Sequence, residues 1–528
     1  MNFPPRMKPC RAGLIVLAVV SLATLSATPA LARPAVRAGS SALLHPGVAR
    51  AAAGPSPTSQ LPKVAPTPKA VRKAPIQDLP IATPTDFAAQ PPVPDQSFVG
   101  LVDPNASASN IPVNAVMVAP PSAPSVIQAA GVSSVFNGLS QGTRNPPSDS
   151  SAAGGPSNVL EQVNGAVAVY SRTGSLVYGP VTSAQYYGVP SSDQQFDPHT
   201  IFDPNRKRFI AIMEDGTKNS WMVSVSDTSD ALSGRCIYTI GALNSGASSV
   251  DFPLVGVSPK YLILTIRENG GGNRLVVYNL AQIEACQPPA GWFWANVQNP
   301  GGGTADTLVP VLDYGLADTD SFLVNSYGGG GSHVSLYKFS NSGSSPGPLV
   351  SANVATPSYT VAASASQKGS SFPIDSGNAS ITQAVNYSHG MYVTLTTGGT
   401  NNGVAAIMWL AFNPSTQKLA YNGVLYNSAL FFFDSSITEG SNGTTMFTYA
   451  LSGVTIYPSS AVVGMDINHN ITTNQYVHQG AYPSPQYRWG DFTSTYTDYS
   501  VNTNAYWSAS QFMADASHYG TAIAYGSA

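Results

Sequence analysis

Three neighbouring residues, Arg488, Trp489 and Asp491, place a guanidinium, an indole and a carboxylate side by side. Such a set could hold a sugar, the indole by stacking and the charged groups by bidentate hydrogen bonding. The competing structural reading pairs Arg488 with the carboxylate of a neighbouring repeat and buries Trp489 in the core. Asp491 is also the last of seven aspartates, Asp149, Asp197, Asp251, Asp306, Asp375, Asp434 and Asp491, spaced by 48, 54, 55, 69, 59 and 57 residues. In a circular repeat these would gather as an acidic rim around a central channel, with Asp197 and Asp251 available to a ligand beside Arg488. The rim could take Ca²⁺, a hard cation that seeks oxygen ligands, or a cationic or sugar ligand, and no other cofactor is expected. Alternatively each aspartate caps backbone N–H groups where one repeat enters the next, because like charges around a pore repel unless paired.

Other chemistries find less support in the residues. The histidines of the second part of the chain (His199, His333, His389, His469, His478, His518) are dispersed, without the short spacings of zinc ligands. No Gly-x-Ser-x-Gly elbow is present, and the GGGGS at 328–332 lacks the lysine of a phosphate loop. A sialidase needs an arginine cluster, a tyrosine nucleophile and an acid. Eight arginines lie beyond residue 130, but the repeated Ser-x-Asp-x-Gly-x-Thr-Trp boxes typical of that enzyme family are not found.

The elements that must position these residues are short strands. In QFDPHTIFDPNRKRFIAIMEDGTKNSWMVSVS (195–226), apolar runs are separated by an Asp-Pro-Asn-Arg turn and a polar turn around Gly216, and Trp221, Val223 and Val225 alternate with polar neighbours. This is an antiparallel meander that cannot bury both faces alone. Similar half-units follow each aspartate, and a period near 55 residues suits a four-stranded propeller blade. Seven starts predict an all-β, seven-bladed β-propeller, with six or eight blades as alternatives. Only 37 residues follow Asp491, too few for a blade, so the ring is expected to close with a strand from 132–139.

The strings PPSDSSAAGGPSNVLEQVNGAVAVYSRTGSLVYGP, FDPHTIFDPNRKRFIAI, DFPLVGVSPKYLILT and YRWGDFTSTYTDYSVNTNAYWSASQF resemble a broad group of secreted bacterial β-propeller proteins of the sialidase-like superfamily. The resemblance spans most of 131–528, and Arg488 to Asp491 is its most specific segment. Pro146 to Asp149 departs from the group's usual Pro-Pro-Asp-Thr-Asn-Gly pattern. What the resemblance implies is a propeller and secretion, not a reaction.

Residues 1–32 carry Arg6, Lys8 and Arg11, an apolar run and Ala30-Leu31-Ala32, which reads as a secretory signal peptide with no transmembrane segment left in the mature chain. Residues 33–130 are rich in Pro and Ala without a sustained period and read as a disordered linker, leaving 131–528 as the propeller domain. Cys236 and Cys286 are the two cysteines beyond the signal, and an oxidising compartment would allow them to pair. From Gly131 onward 14 basic and 23 acidic residues give a formal charge of −9, which argues against nucleic acid as a partner. The expected function is therefore a secreted or cell-surface, non-enzymatic propeller binding an extracellular glycan or protein. The alternative is a sialidase-like glycoside hydrolase acting on extracellular glycans.

Overall fold

The computed structural model describes residues 59–91, 100–123, 131–140, 147–315, 317–387, 389–399 and 403–527. The segment read as a signal peptide and the first part of the segment read as a linker lie outside the described residues. The described chain is almost entirely strand and forms a β-propeller. Consecutive antiparallel pairing organises it into seven four-stranded units, here I (151–182), II (195–241), III (250–295), IV (309–359), V (381–426), VI (431–478) and VII (494–527 with 131–140).

Each unit begins with its innermost strand. These are Ser151–Gly154, Gln195–Asp203, Val250–Val257, Val309–Asp313, Ile381–Asn386, Phe431–Glu439 and Ser494–Asp498. Every inner strand touches the next, and that of unit VII touches that of unit I, so the units close into a ring. The approach is tight enough between units III, IV and V for inner strands to hydrogen-bond in parallel, with Val257 opposite Leu312 and Val311 opposite Ala384. Inner strands running the same way put all their N-terminal ends, and hence the aspartates, at one end of the axis.

Unit VII supplies three strands of its own and borrows the fourth: Gly131–Ser140 lies antiparallel to Tyr519–Ser527, with Phe136 opposite Ile523. This covers the edge that the short C-terminal stretch leaves bare. The seam with unit I is tied by the buried Glu161, which accepts from the Leu139 N–H at 2.9 Å and from the Thr521 hydroxyl. Arg172 pairs with Asp498 across the same seam and lies over the Trp507 ring, 5.1 Å from its centroid.

Of the segment read as a disordered linker, the described residues 59–91 and 100–123 are largely extended, as the composition implies, and they lie against the propeller. Ser59–Gln60, Lys63–Val64 and Ala70–Lys73 add antiparallel strands to the outer edges of units IV, III and II, and Ala115–Met117 adds a parallel one to unit V. In the same segment Ile76, Phe87 and Val118 are buried. The physical reason is that outermost strands offer a row of unpaired N–H and C=O groups, which a Pro-rich chain can satisfy in pieces of two to four residues without any hydrophobic period. The disulfide links Cys236, on the outer strand of unit II, to Cys286, after the short helix Leu280–Glu284 of unit III, with Cα atoms 5.5 Å apart.

Candidate site: a buried carboxylate cluster and its mouth

The inner strands start with a kink. Asp149, Asp197 and Asp434 have φ of 44°, 55° and 48°, in the left-handed region that aspartate tolerates better than most residues. In units II, III and VI the ladder skips a register step at this point, between Phe196 and His199, Asp251 and Leu254, and Phe433 and Ser436. Asn164 locks one such kink to its neighbour. Its side-chain oxygen accepts from the Asp197 N–H at 2.8 Å, while its amide donates to Asp149 Oδ2 at 2.7 Å.

The seven aspartates are not, however, equivalent positions. In unit III it is Phe252 that takes the left-handed conformation, with φ of 62°, so Asp251 stands one residue earlier than Asp197 in its repeat. The swap is visible as Phe-Asp-Pro at 196–198 against Asp-Phe-Pro at 251–253. Asp306 serves as a cap, accepting from the Leu101 N–H at 3.0 Å and the Gly328 N–H at 3.2 Å.

The remaining aspartates meet electrostatically, joined by Glu214 from the second strand of unit II. Asp149, Asp197, Glu214, Asp251, Asp375, Asp434 and Asp491 face the guanidiniums of Arg267 and Arg488. Burial pushes the Asp149 carboxyl up to about 6, the Asp491 carboxylate adds to this and Arg488 opposes it. Asp197 and Glu214 are driven well above the usual range, first by burial and then by their acidic neighbours. The same holds for Asp434. Asp251 is raised by burial against the pull of Arg267, with which it forms an ion pair. For Arg488 burial disfavours the charge, but Asp491, Asp149, Asp197 and Asp251 outweigh it and hold the guanidinium protonated.

Asp197, Glu214 and Asp251 form the tightest group, with one oxygen from each lying within 4.8 Å of the other two. Both oxygens of Asp197 and both of Glu214 are buried without a hydrogen-bond partner among the described residues. Glu214 was not singled out in the sequence. Its signal is an acid that directly follows the apolar run Phe209–Met213 on the strand Arg208–Asp215, paired across the ladder with Phe196.

At the mouth, Arg488 donates to Asp491 at 2.5 Å, with 23% and 31% of the two side chains exposed. Trp489 cannot serve as a stacking platform. Its indole is 2% exposed and packs with Ala365, Ile374, Phe433 and Met513, because the hairpin Ala365–Ile374 folds over it. The exposed aromatic rings are instead Phe372, on that hairpin, and Tyr487, with centroids 6.4 Å apart. The Asp375 N–H donates to the Tyr487 carbonyl at 2.7 Å, which holds hairpin and loop together. The hairpin is the source of the long 69-residue interval between Asp306 and Asp375, and that irregularity is the sequence signal for it.

Two cavities of about 20 and 10 Å³, both touching Tyr496, are each wide enough for a water molecule or little more. At the far end the Tyr499 ring meets Tyr314 edge-on and Tyr387 at a tilt, with centroids 4.9 and 5.3 Å apart. A larger cavity of about 640 Å³ lies away from the cluster, beneath Pro66 to Lys69 and bordered by Lys218, Arg274 and Tyr278. Among the described residues no helix is long and apolar enough to cross a membrane.

No protein-family model and no curated protein matches the sequence. Among solved structures the chain is similar to the Dos1 propeller, at 8% identity and a TM-score of 0.35 over 76% of this chain and 94% of that one. It is also similar to a subtype N10 neuraminidase-like protein of A/little yellow-shouldered bat/Guatemala/060/2010, at 9% identity and a TM-score of 0.33 over 63% of this chain and 98% of that one. A third similarity is to the α-L-arabinofuranosidase PaAbf62A from Podospora anserina, at 11% identity and 0.28 over 53% and 92%. The propeller assignment rests on the strand pairing, and these distant similarities carry no functional argument.

Proposed function

We propose that this chain is a secreted or cell-surface propeller that binds an extracellular glycan or protein without transforming it. The observation that carries this reading is the make-up of the mouth. Two exposed aromatic rings, Phe372 and Tyr487, stand beside an Arg488–Asp491 ion pair that is partly open to solvent. Rings and a fixed ion pair suit recognition by stacking and charge-assisted hydrogen bonds. Hydrolysis would instead require two accessible carboxyls facing each other across a pocket. Here Asp149, the carboxyl bonded to the Asp491 backbone, is 1% exposed.

The mature protein should be screened on a glycan array and against chromogenic glycosides, alongside Phe372→Ala, Tyr487→Ala and Asp491→Asn. Loss of binding in the two aromatic variants with an unchanged melting temperature supports the reading. Hydrolysis by wild type that disappears in D491N overturns it in favour of a glycosidase.

A further inference from the structure

The seam between units II and III holds three carboxylates that the mouth does not use. Asp197 comes from the kink of the inner strand of unit II, Glu214 from the strand beside it, and Asp251 from the inner strand of unit III. Their exposures are 1%, 0% and 6%.

Burial at this depth makes an unsatisfied charge very unfavourable, so buried carboxylates are ordinarily paired or bound to a metal. Arg267 pairs with Asp251. Among the described residues no donor reaches any of the four oxygens of Asp197 and Glu214. The Asp197 N–H donates to Asn164, which anchors the left-handed backbone that carries this carboxylate into the seam.

We infer that Asp197, Glu214 and Asp251 bind a hard divalent cation, Ca²⁺, which locks unit II to unit III at the acidic end of the channel. Three observations converge on this. The ligands are all oxygen, the preference of Ca²⁺, Mg²⁺ and Mn²⁺ over softer metals. The charge balances: three carboxylates against the one guanidinium bonded to them leave a deficit of two. The spread also fits, since ligands on opposite sides of Ca²⁺ lie about 4.6–5.2 Å apart, twice the metal–oxygen distance, and the three oxygens here lie within 4.8 Å of one another. This inference does not depend on the ligand proposed for the mouth, because its three residues are buried and the mouth's aromatic pair is not among them.

The test uses the full-length mature protein, stripped with a chelator and titrated with CaCl₂, MgCl₂ or MnCl₂ while calorimetry reads stoichiometry and melting temperature. The expected result is a single bound Ca²⁺ per chain and a melting temperature that rises by several degrees on adding it. Glu214→Gln should weaken Ca²⁺ affinity by on the order of tenfold or more with the circular dichroism spectrum retained. Asp434→Asn, in the same acidic cluster but outside the triad, should keep the wild-type affinity. Should E214Q fail to fold, elemental analysis of the wild-type protein before and after chelation still decides. An equal loss in D434N overturns the assignment to these three residues. Binding of Mg²⁺ or Mn²⁺ in preference to Ca²⁺ overturns the choice of ion. Wild-type protein that carries no metal and melts identically with and without chelator overturns the site, leaving the carboxyls protonated.

Discussion

Asp149 Oδ1 accepts a hydrogen bond from the Asp491 N–H at 2.7 Å, joining the start of the first unit to the start of the last. The Asp491 side chain is in turn bonded by Arg488. Three residues at the seam therefore link the two ends of the propeller's sequence through one buried acceptor, one backbone donor and one guanidinium.

Arg488→Ala should destabilise the ring. It removes one of the two guanidiniums facing the acidic cluster and leaves Asp149, Asp197 and Asp434 repelling one another. A fully buried pair loses about 3–5 kcal/mol when one partner is removed. Arg488 keeps 23% of its side chain exposed, so a loss on the order of 2 kcal/mol is expected. Differential scanning calorimetry should show a drop of several degrees, and a variant melting with wild type would refute the counter-ion role.

Reduction of the Cys236–Cys286 bridge should lower the urea midpoint without changing the mouth. The bridge spans a sequence separation of 50 residues. On the chain-entropy scale this corresponds to about 4 kcal/mol. Cys236→Ser compared with wild type in non-reducing buffer measures it, and identical midpoints would show that the bridge contributes nothing.

Much of this fold was legible because it repeats. The Asp-Pro turns and alternating strands of 195–226 recur at intervals near 55 residues, and the shortness of the stretch after Asp491 pointed to the borrowed strand at 131–140. The outer straps were not legible, since an edge strand of two residues such as Lys63–Val64 needs no period and leaves none. At the site, the aspartates were visible as a series, but the one-residue offset of Asp251 hides in the order of two neighbouring letters. Glu214 was missed because it comes from a second strand, and Phe372 and Tyr487 because the two segments that carry them are distant in sequence and meet only in the folded chain. Trp489, which looked like a ligand platform beside Arg488, is covered by a hairpin whose sequence says nothing of where it folds.

A chain beginning at Gly131 should melt lower and self-associate. Removing 59–123 bares the outer edges of units II to V and uncovers the surfaces on which Ile76, Phe87 and Val118 are buried. Unpaired edges template further pairing. Light scattering and thermal unfolding of the truncated and full-length proteins should separate clearly, and matching behaviour would mean that the straps only decorate the ring.

Glu161 makes the seam between units I and VII sensitive to pH. Burial pushes its carboxyl up to about 7, against the opposing hydrogen bonds from Thr521, Leu139 and Tyr170, whereas the unfolded chain titrates near 4.5. Below the lower value both states are protonated and the group has no effect. Between the two values the unfolded chain releases its proton while the folded one retains it, so stability falls as pH rises and levels off above about 7. The separation corresponds to a loss on the order of 3 kcal/mol. Other buried acids, Glu439 and Glu284 among them, titrate in the same direction, so wild type alone does not isolate the effect. Glu161→Gln does, because it keeps the shape and an acceptor for the Leu139 N–H but cannot ionise. Urea midpoints taken at pH 5 and pH 8 should fall less for E161Q than for wild type, and an equal fall in the two proteins would remove Glu161 from the account of the seam.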